Sequence, residues 1–198
     1  HLFPEWDMWT QFIVNDTNAG LALDGLKSSH PIDATVRDPA EVQELFDAIS
    51  YSKGASIIRM LEHFVGEETF RQGLHSYLEA HKYGNAQTAD LWRAMEEASR
   101  QPVTAMMRSW TAQMGYPVLQ AELRRSRQGV EVALSQRRFL YDQTPQGAAQ
   151  DATVWQVPVN TVGQGASGTD RLLLARREGS LRLEESAQVL RFRELIDR

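Results

Sequence analysis

The stretch Phe46-Asp47-Ala48-Ile49-Ser50-Tyr51-Ser52-Lys53-Gly54-Ala55-Ser56-Ile57-Ile58-Arg59-Met60-Leu61 changes habit halfway along. Its apolar pattern pauses after Ile49 and resumes at Ile57, continuing through Ile58, Leu61, Phe64 and Val65 at helical spacing. In the pause, Tyr51 stands between two serines, and Gly54 permits close packing or a break. A phenol so placed can project into a cleft while the apolar flanks anchor helices. Lys53 and Arg59 read as charges on a helix surface.

Upstream, Trp6, Trp9, Phe12 and Ile13 recur at helical spacing, and Trp6, Trp9, Trp92 and Trp110 read as core. Gly20, Gly25 and the Ser28-Ser29-His30-Pro31 turn make 20–36 an irregular connector, with His30 a turn residue. Asp38, Pro39 and Glu41 form a helix-start signal, followed by Val42, Leu45, Phe46 and Ile49 on one face. Downstream, Gly66 closes one helix, and Phe70, Leu74, Tyr77, Leu78 and His81 mark another, ending near Gly84 and Asn85. Thr88 caps a third, carrying Leu91, Trp92, Met95 and Ala98. Pro102 opens a last one with Val103, Met106, Met107 and Trp110, stopped by Gly115.

After Pro117 the period changes. Val118–Leu123, Val130–Leu134, Val154–Val159 and Leu172–Leu174 are short β-prone runs separated by glycines, the pattern of a sandwich. The stretch from Gly163 to Gly168 reads as a surface turn and lacks the Lys-Ser/Thr of a phosphate loop. The expected organisation is α+β, with a helical part over 1–116 and a β-sandwich over 117–198. About 80 residues is small for an independent sandwich, which is expected to lean on the helices or on further chain.

Composition narrows the function. A net charge of -5 argues against nucleic acid as a partner. The absence of cysteine excludes disulfides and thiolate metal sites. It leaves the compartment open, with the cytoplasm as the expectation. No apolar run reaches the ~18 residues of a membrane span, so no membrane partner is expected. The beginning, His1-Leu2-Phe3-Pro4-Glu5-Trp6, reads as the middle of something longer. The histidines are His1, His30, His63, His75 and His81, and no two form His-Glu-x-x-His, the spacing that turns two imidazoles toward one zinc. His75 and Glu79 share a helix face, but His81 sits well around from them, so a solvated polar face is the preferred reading. His63, beside an apolar face, reads as structural.

The quoted stretch closely resembles the segment that follows the zinc motif in M1 aminopeptidases, the aminopeptidase N type of gluzincin. Further motifs agree in order. Leu2-Phe3-Pro4-Glu5-Trp6 is similar to the segment just after the family's third zinc ligand, and Ser28-Ser29-His30-Pro31-Ile32 to its connector before this helix pair. Asn85-Ala86 with Asp90-Leu91-Trp92 fits the next helices, and Trp110 to Val118 resembles the junction into the family's β-sandwich. Gln136-Arg137-Arg138-Phe139 and Trp155-Gln156-Val157-Pro158 look like strands of that sandwich. The resemblance spans about residues 1–160.

It implies the helical C-terminal lobe of a thermolysin-like catalytic domain followed by a small β-sandwich. It also implies a parent enzyme that removes N-terminal residues from peptides by metal-activated water, with zinc as cofactor. In this family a tyrosine of the quoted motif stabilises the transition state, and Tyr51 is the match. Taken alone, Tyr51 reads as a half-buried tyrosine with its hydroxyl bonded to backbone. With the resemblance, the catalytic reading is preferred. The family's His-Glu-x-x-His, its zinc glutamate and its Gly-x-Met-Glu-Asn segment have no match here, nor has its large C-terminal helical domain, and Gln188 to Arg198 does not resemble its last sandwich strands. The expectation is therefore a fragment that binds no zinc through its own residues, packs against a missing zinc-binding half and is inactive alone. The alternative is a non-catalytic interaction or scaffold module derived from such a peptidase.

Overall fold

A computed structural model describes residues 3–126, 129–163, 169–183 and 190–193. The expected turn around Gly165 and most of the segment from Gln188 to Arg198 lie outside these, as do His1 and Leu2.

Helices occupy the first part of the chain. A 3-10 turn at Pro4–Trp6 leads into α1 (Met8–Phe12), a π-helical turn at Ile13–Thr17 and α2 (Asn18–Asp24). A 3-10 segment at Pro39–Leu45 and a second π-helical turn at Ile49–Lys53 precede α3 (Gly54–Val65). α4 (Glu67–Ala80), α5 (Thr88–Ser99) and α6 (Val103–Thr111) follow. Their apolar residues recur at helical spacing, and the buried ones (Ile57, Met60 and Leu61 of α3, Trp92 and Met95 of α5, Met106, Met107 and Trp110 of α6) form one core.

Several expectations need correcting. Trp92 and Trp110 are core at 4% and 3% exposure, but Trp6 and Trp9 are exposed at 56% and 47%. Trp9 instead stacks under the Arg59 guanidinium, 3.1 Å from its ring centroid. Phe46 and Val42 are exposed as well, because 39–45 is a tight 3-10 segment in which helical spacing no longer selects one face. Gly20 does not break the chain. It lies inside α2, where a Cβ would come within 2.9 Å of the Lys53 backbone nitrogen. The cap of α5 is Gln87, reciprocally bonded with Asp90, rather than Thr88.

The second part is β-structure. β1 (Pro117–Ser126), β2 (Gly129–Arg138) and β5 (Glu178–Leu183) form one antiparallel sheet in the order β1-β2-β5. β3 (Val157–Gly163), β4 (Thr169–Leu174) and β6 (Leu190–Arg193) form another, in the order β4-β3-β6. A short α7 (Pro145–Gln150), capped by Thr144, lies between β2 and β3. Two strands, β5 and β6, went unread in the sequence. Alternation turns Val132 and Leu134 of β2, Val157 and Val159 of β3, and Leu174 of β4 into the same core that the helices fill.

Gln136 binds the sheets together. Its side-chain amide donates to the Trp155 carbonyl at 2.8 Å and the Arg176 carbonyl at 2.9 Å, and accepts from the Trp155 N–H at 2.9 Å. Trp110 and Trp155 meet with ring centroids 6.4 Å apart, and the Trp110 indole donates to the Gln156 carbonyl at 3.0 Å. The segment leading into β3 thus packs directly on α6. Gln136→Leu would leave the buried Trp155 N–H and carbonyl without these partners, so urea unfolding of the chain should show a loss of about 2–3 kcal/mol. A midpoint unchanged from the parent chain would contradict the role given to Gln136.

Candidate functional site

Two π-helical turns, Ile13–Thr17 and Ile49–Lys53, lie side by side. The Thr17 and Ser56 hydroxyls are 3.1 Å apart, and Ser56 donates to the Ser52 carbonyl at 2.8 Å. Such turns insert a residue into a helix and recur at functional sites because they re-aim side chains. In the second turn, Ile49 and Lys53 both point inward, and Tyr51, midway between them, points out. Tyr51 is 61% exposed and Lys53 only 6%. The Phe46 ring lies beside the phenol, 6.1 Å between centroids.

The turn is held on its inner side by a buried ion pair. The Lys53 ammonium meets the Asp24 carboxylate at 2.8 Å and donates to the Gly115 carbonyl at 3.1 Å. Asp24 accepts in turn from the Gly115 N–H at 2.7 Å and from the Ser29 hydroxyl. Gly115 has φ +88°, a conformation that favours glycine, and a Cβ there would meet the Arg138 side chain at 2.5 Å. Burial pushes the Lys53 ammonium pKa down, while Asp24 pulls it back up. Lys53 is thus no surface charge, which corrects the sequence reading. A signal was present: Ile49, Lys53, Ile57 and Leu61 repeat every four residues, so the lysine sits on the buried stripe.

On the outer side, Asp47 organises the start of the turn. Its Oδ1 accepts from the N–H groups of Ile49 at 2.9 Å and Ser50 at 3.0 Å, and its carbonyl accepts from the Tyr51 N–H at 3.1 Å. Its Oδ2 lies 2.8 Å from His30 Nε2, and His30 Nδ1 lies 2.8 Å from the Pro31 carbonyl. His30 therefore does more than make a turn. Burial lowers its pKa, but the Pro31 carbonyl and Asp47 outweigh that, and the net shift is upward. Burial raises the Asp47 pKa, and the Ser50 N–H and His30 outweigh it, so the net shift is downward. No sequence signal joins residues so far apart.

The other histidines stay apart. His63 contacts the Arg59 carbonyl at 2.9 Å, His81 packs beside Tyr77, and His75 is exposed. Among the described residues, no three His, Asp or Glu side chains gather into a group that fits a metal ion. Nor, among them, is any helix long and apolar enough to cross a membrane.

The Peptidase family M1 domain matches residues 1–110, and the chain belongs to that family. It is 45% identical to Aminopeptidase M1 of Arabidopsis thaliana over 93% of this chain and 20% of that protein. It is 39% identical to the puromycin-sensitive aminopeptidase of Caenorhabditis elegans over 91% of this chain and 19% of the relative. Against the leucyl aminopeptidase of Saccharolobus solfataricus the figures are 46%, 70% and 17%. The chain spans about a fifth of the length of the curated relatives it matches.

Two stability predictions follow from the braces on the turn. Lys53→Met leaves the buried Asp24 without its ion-pair partner, and should lower unfolding stability by about 3–5 kcal/mol in urea titrations. For the outer brace the signs are opposite for its two members. The contribution of His30 is complete below its free pKa of 6.5 and fades as pH rises through its higher folded value. That of Asp47 is complete above 3.8 and fades as pH falls through its lower folded value. Melting temperatures of the chain and of His30→Gln should therefore differ most between pH 3.8 and 6.5, and converge at alkaline pH.

Proposed function

We propose that this chain is part of a zinc-dependent aminopeptidase that removes N-terminal residues from peptides, with Tyr51 stabilising the oxyanion. The observation that carries the reading is the outward phenol of Tyr51 on a turn braced from both sides, within the segment that matches the family. As water adds to a peptide carbonyl, negative charge builds on its oxygen. A phenol O–H about 3 Å away donates a hydrogen bond that strengthens as the charge grows. The bracing matters because a donor fixed in advance needs no reorganisation at the moment of reaction. No described cluster fits the zinc that the family implies, so the proposal assigns its ligands to other residues. The names of these three relatives, each an aminopeptidase, support the peptide substrate.

The same proposal covers the surroundings. Residues 1–116 belong to the catalytic lobe and 117–198 to a β-sandwich beside it. Phe3, Trp6, Met8, Trp9 and Val14 all lie exposed along the first elements, which supports packing against a zinc-binding half in the whole protein. A cytoplasmic setting is part of the proposal. The chain alone is expected to show no turnover.

The test is Tyr51→Phe in the whole protein that carries this segment. Turnover of an aminoacyl-arylamide should fall about 10²–10³-fold, with KM little changed and the melting temperature held. Full activity in that variant would remove Tyr51 from the mechanism. Zinc-dependent turnover by the isolated chain, abolished by a chelator, would overturn the assignment of the metal to other residues.

A further inference from the structure

The contacts of His30 favour its charged form. A carbonyl oxygen accepts hydrogen bonds and never donates them, and so does an ionised carboxylate. His30 Nδ1 faces the Pro31 carbonyl and Nε2 faces the Asp47 carboxylate, each at 2.8 Å. With Asp47 ionised, both contacts are hydrogen bonds only when both ring nitrogens carry hydrogen, so the geometry favours the imidazolium. The Asp47 carboxylate it grips holds two N–H groups of the Tyr51 turn on its other oxygen. The Asp47 carbonyl receives the Tyr51 N–H itself. A short, continuous path of bonds runs from the histidine ring to the backbone of the tyrosine.

We propose that His30 is a positioning residue, whose doubly protonated ring fixes the Asp47 carboxylate and, through it, the turn that aims Tyr51. The role rests on the reading of Tyr51 as the oxyanion donor. When His30 loses a proton, one of its two nitrogens presents a lone pair to an acceptor, and that contact turns repulsive. The Asp47 carboxylate is then free to rotate away from the turn. The charged groups acting on His30 are Asp47 and, from α2, Asp24, whose own charge is matched by Lys53. The net field of these neighbours favours the imidazolium, in line with the upward pKa of His30. The phenol of Tyr51 is exposed and therefore depends on its backbone for its aim. A small rotation of the turn would misplace the donor, and a misplacement of about 1 Å can lower a rate on the order of 10²-fold.

The experiment is a pH titration of the full 198-residue chain by NMR, with labelled histidine and tyrosine rings. At pH 6.5, where a free histidine is half neutral, both nitrogens of His30 should show imidazolium shifts. At higher pH, the Tyr51 ring and the Ile49 and Ser50 amides should move with the same midpoint as His30. Asp47→Asn should lower that midpoint and uncouple Tyr51 from it. In the whole enzyme, His30→Ala should lower kcat about tenfold to a hundredfold at unchanged KM, with His30→Gln, which keeps one donor, recovering part of the loss. A neutral His30 ring at pH 6.5, or a Tyr51 ring that stays still while His30 titrates, would overturn the proposal. The two readings separate cleanly. Unchanged kcat in Tyr51→Phe beside a linked titration would remove only the oxyanion role, since the titration is read without turnover. A large loss in Tyr51→Phe beside an unmoved Tyr51 ring would remove only the positioning role.

Discussion

The Asp24–Lys53 pair is the constraint on which the rest of this structure depends. Three separate pieces of chain end on it: the last turn of α2, the π-helical turn before α3, and the Gly115 loop that turns into β1. A buried charge pair is weak as a source of stability, because desolvation offsets most of its attraction. It is strong as a demand, because either charge left alone in the core is costly. Asp24 and Lys53 can both be satisfied in only one arrangement of these three pieces. Gly20 makes that arrangement close enough, by letting α2 approach the Lys53 backbone without a Cβ between them. Gly115 makes it possible at the other end, by taking a backbone conformation that side chains disfavour.

This constraint explains how an exposed side chain can be well placed. Surface residues are ordinarily free to choose among rotamers and backbone wobble, and catalysis by an oriented donor tolerates little of either. Tyr51 has solvent on one side, yet its turn is gripped from within by Lys53 and from without by Asp47. The order in the phenol's position is supplied by its neighbours in sequence. They are buried or bonded because the π-helical turn sends alternate residues in opposite directions.

Much of the architecture was legible from the residues. The helices from Gly54 to Thr111 carry apolar residues at a steady helical period, bounded by Gly66, Pro102 and Gly115, and the early strands alternate. Pattern failed where burial did not follow period. Trp6 and Trp9 have the spacing of a core face but lie exposed, because periodicity reports that a face is apolar and says nothing of what covers it. The segment 39–45 has a helix-start signal but tightens into a 3-10 form, so its apolar residues scatter. Tyr51 was singled out by its family resemblance for the role proposed above, and its outward aim agrees with the pause in the apolar pattern. Lys53 was misread because charge was allowed to outweigh position on the buried stripe. The contact between His30 and Asp47 was beyond reach, since nothing local to either residue points across the intervening loop.

The two braces differ in a way that matters for function. The inner pair joins a lysine and an aspartate deep in the fold. It sets where the turn is. The outer pair joins a histidine and an aspartate at a partly open position, and the histidine is the one member whose charge can change near neutral pH. It bears on how the start of the turn is held, through the Asp47 carboxylate and the N–H groups it collects. The turn is thus placed by a buried pair, and its start is oriented by one that includes a histidine. In the proposed arrangement the aim of one exposed phenol responds to a single proton through bonds that run from the His30 ring to Asp47 and on to the Tyr51 turn.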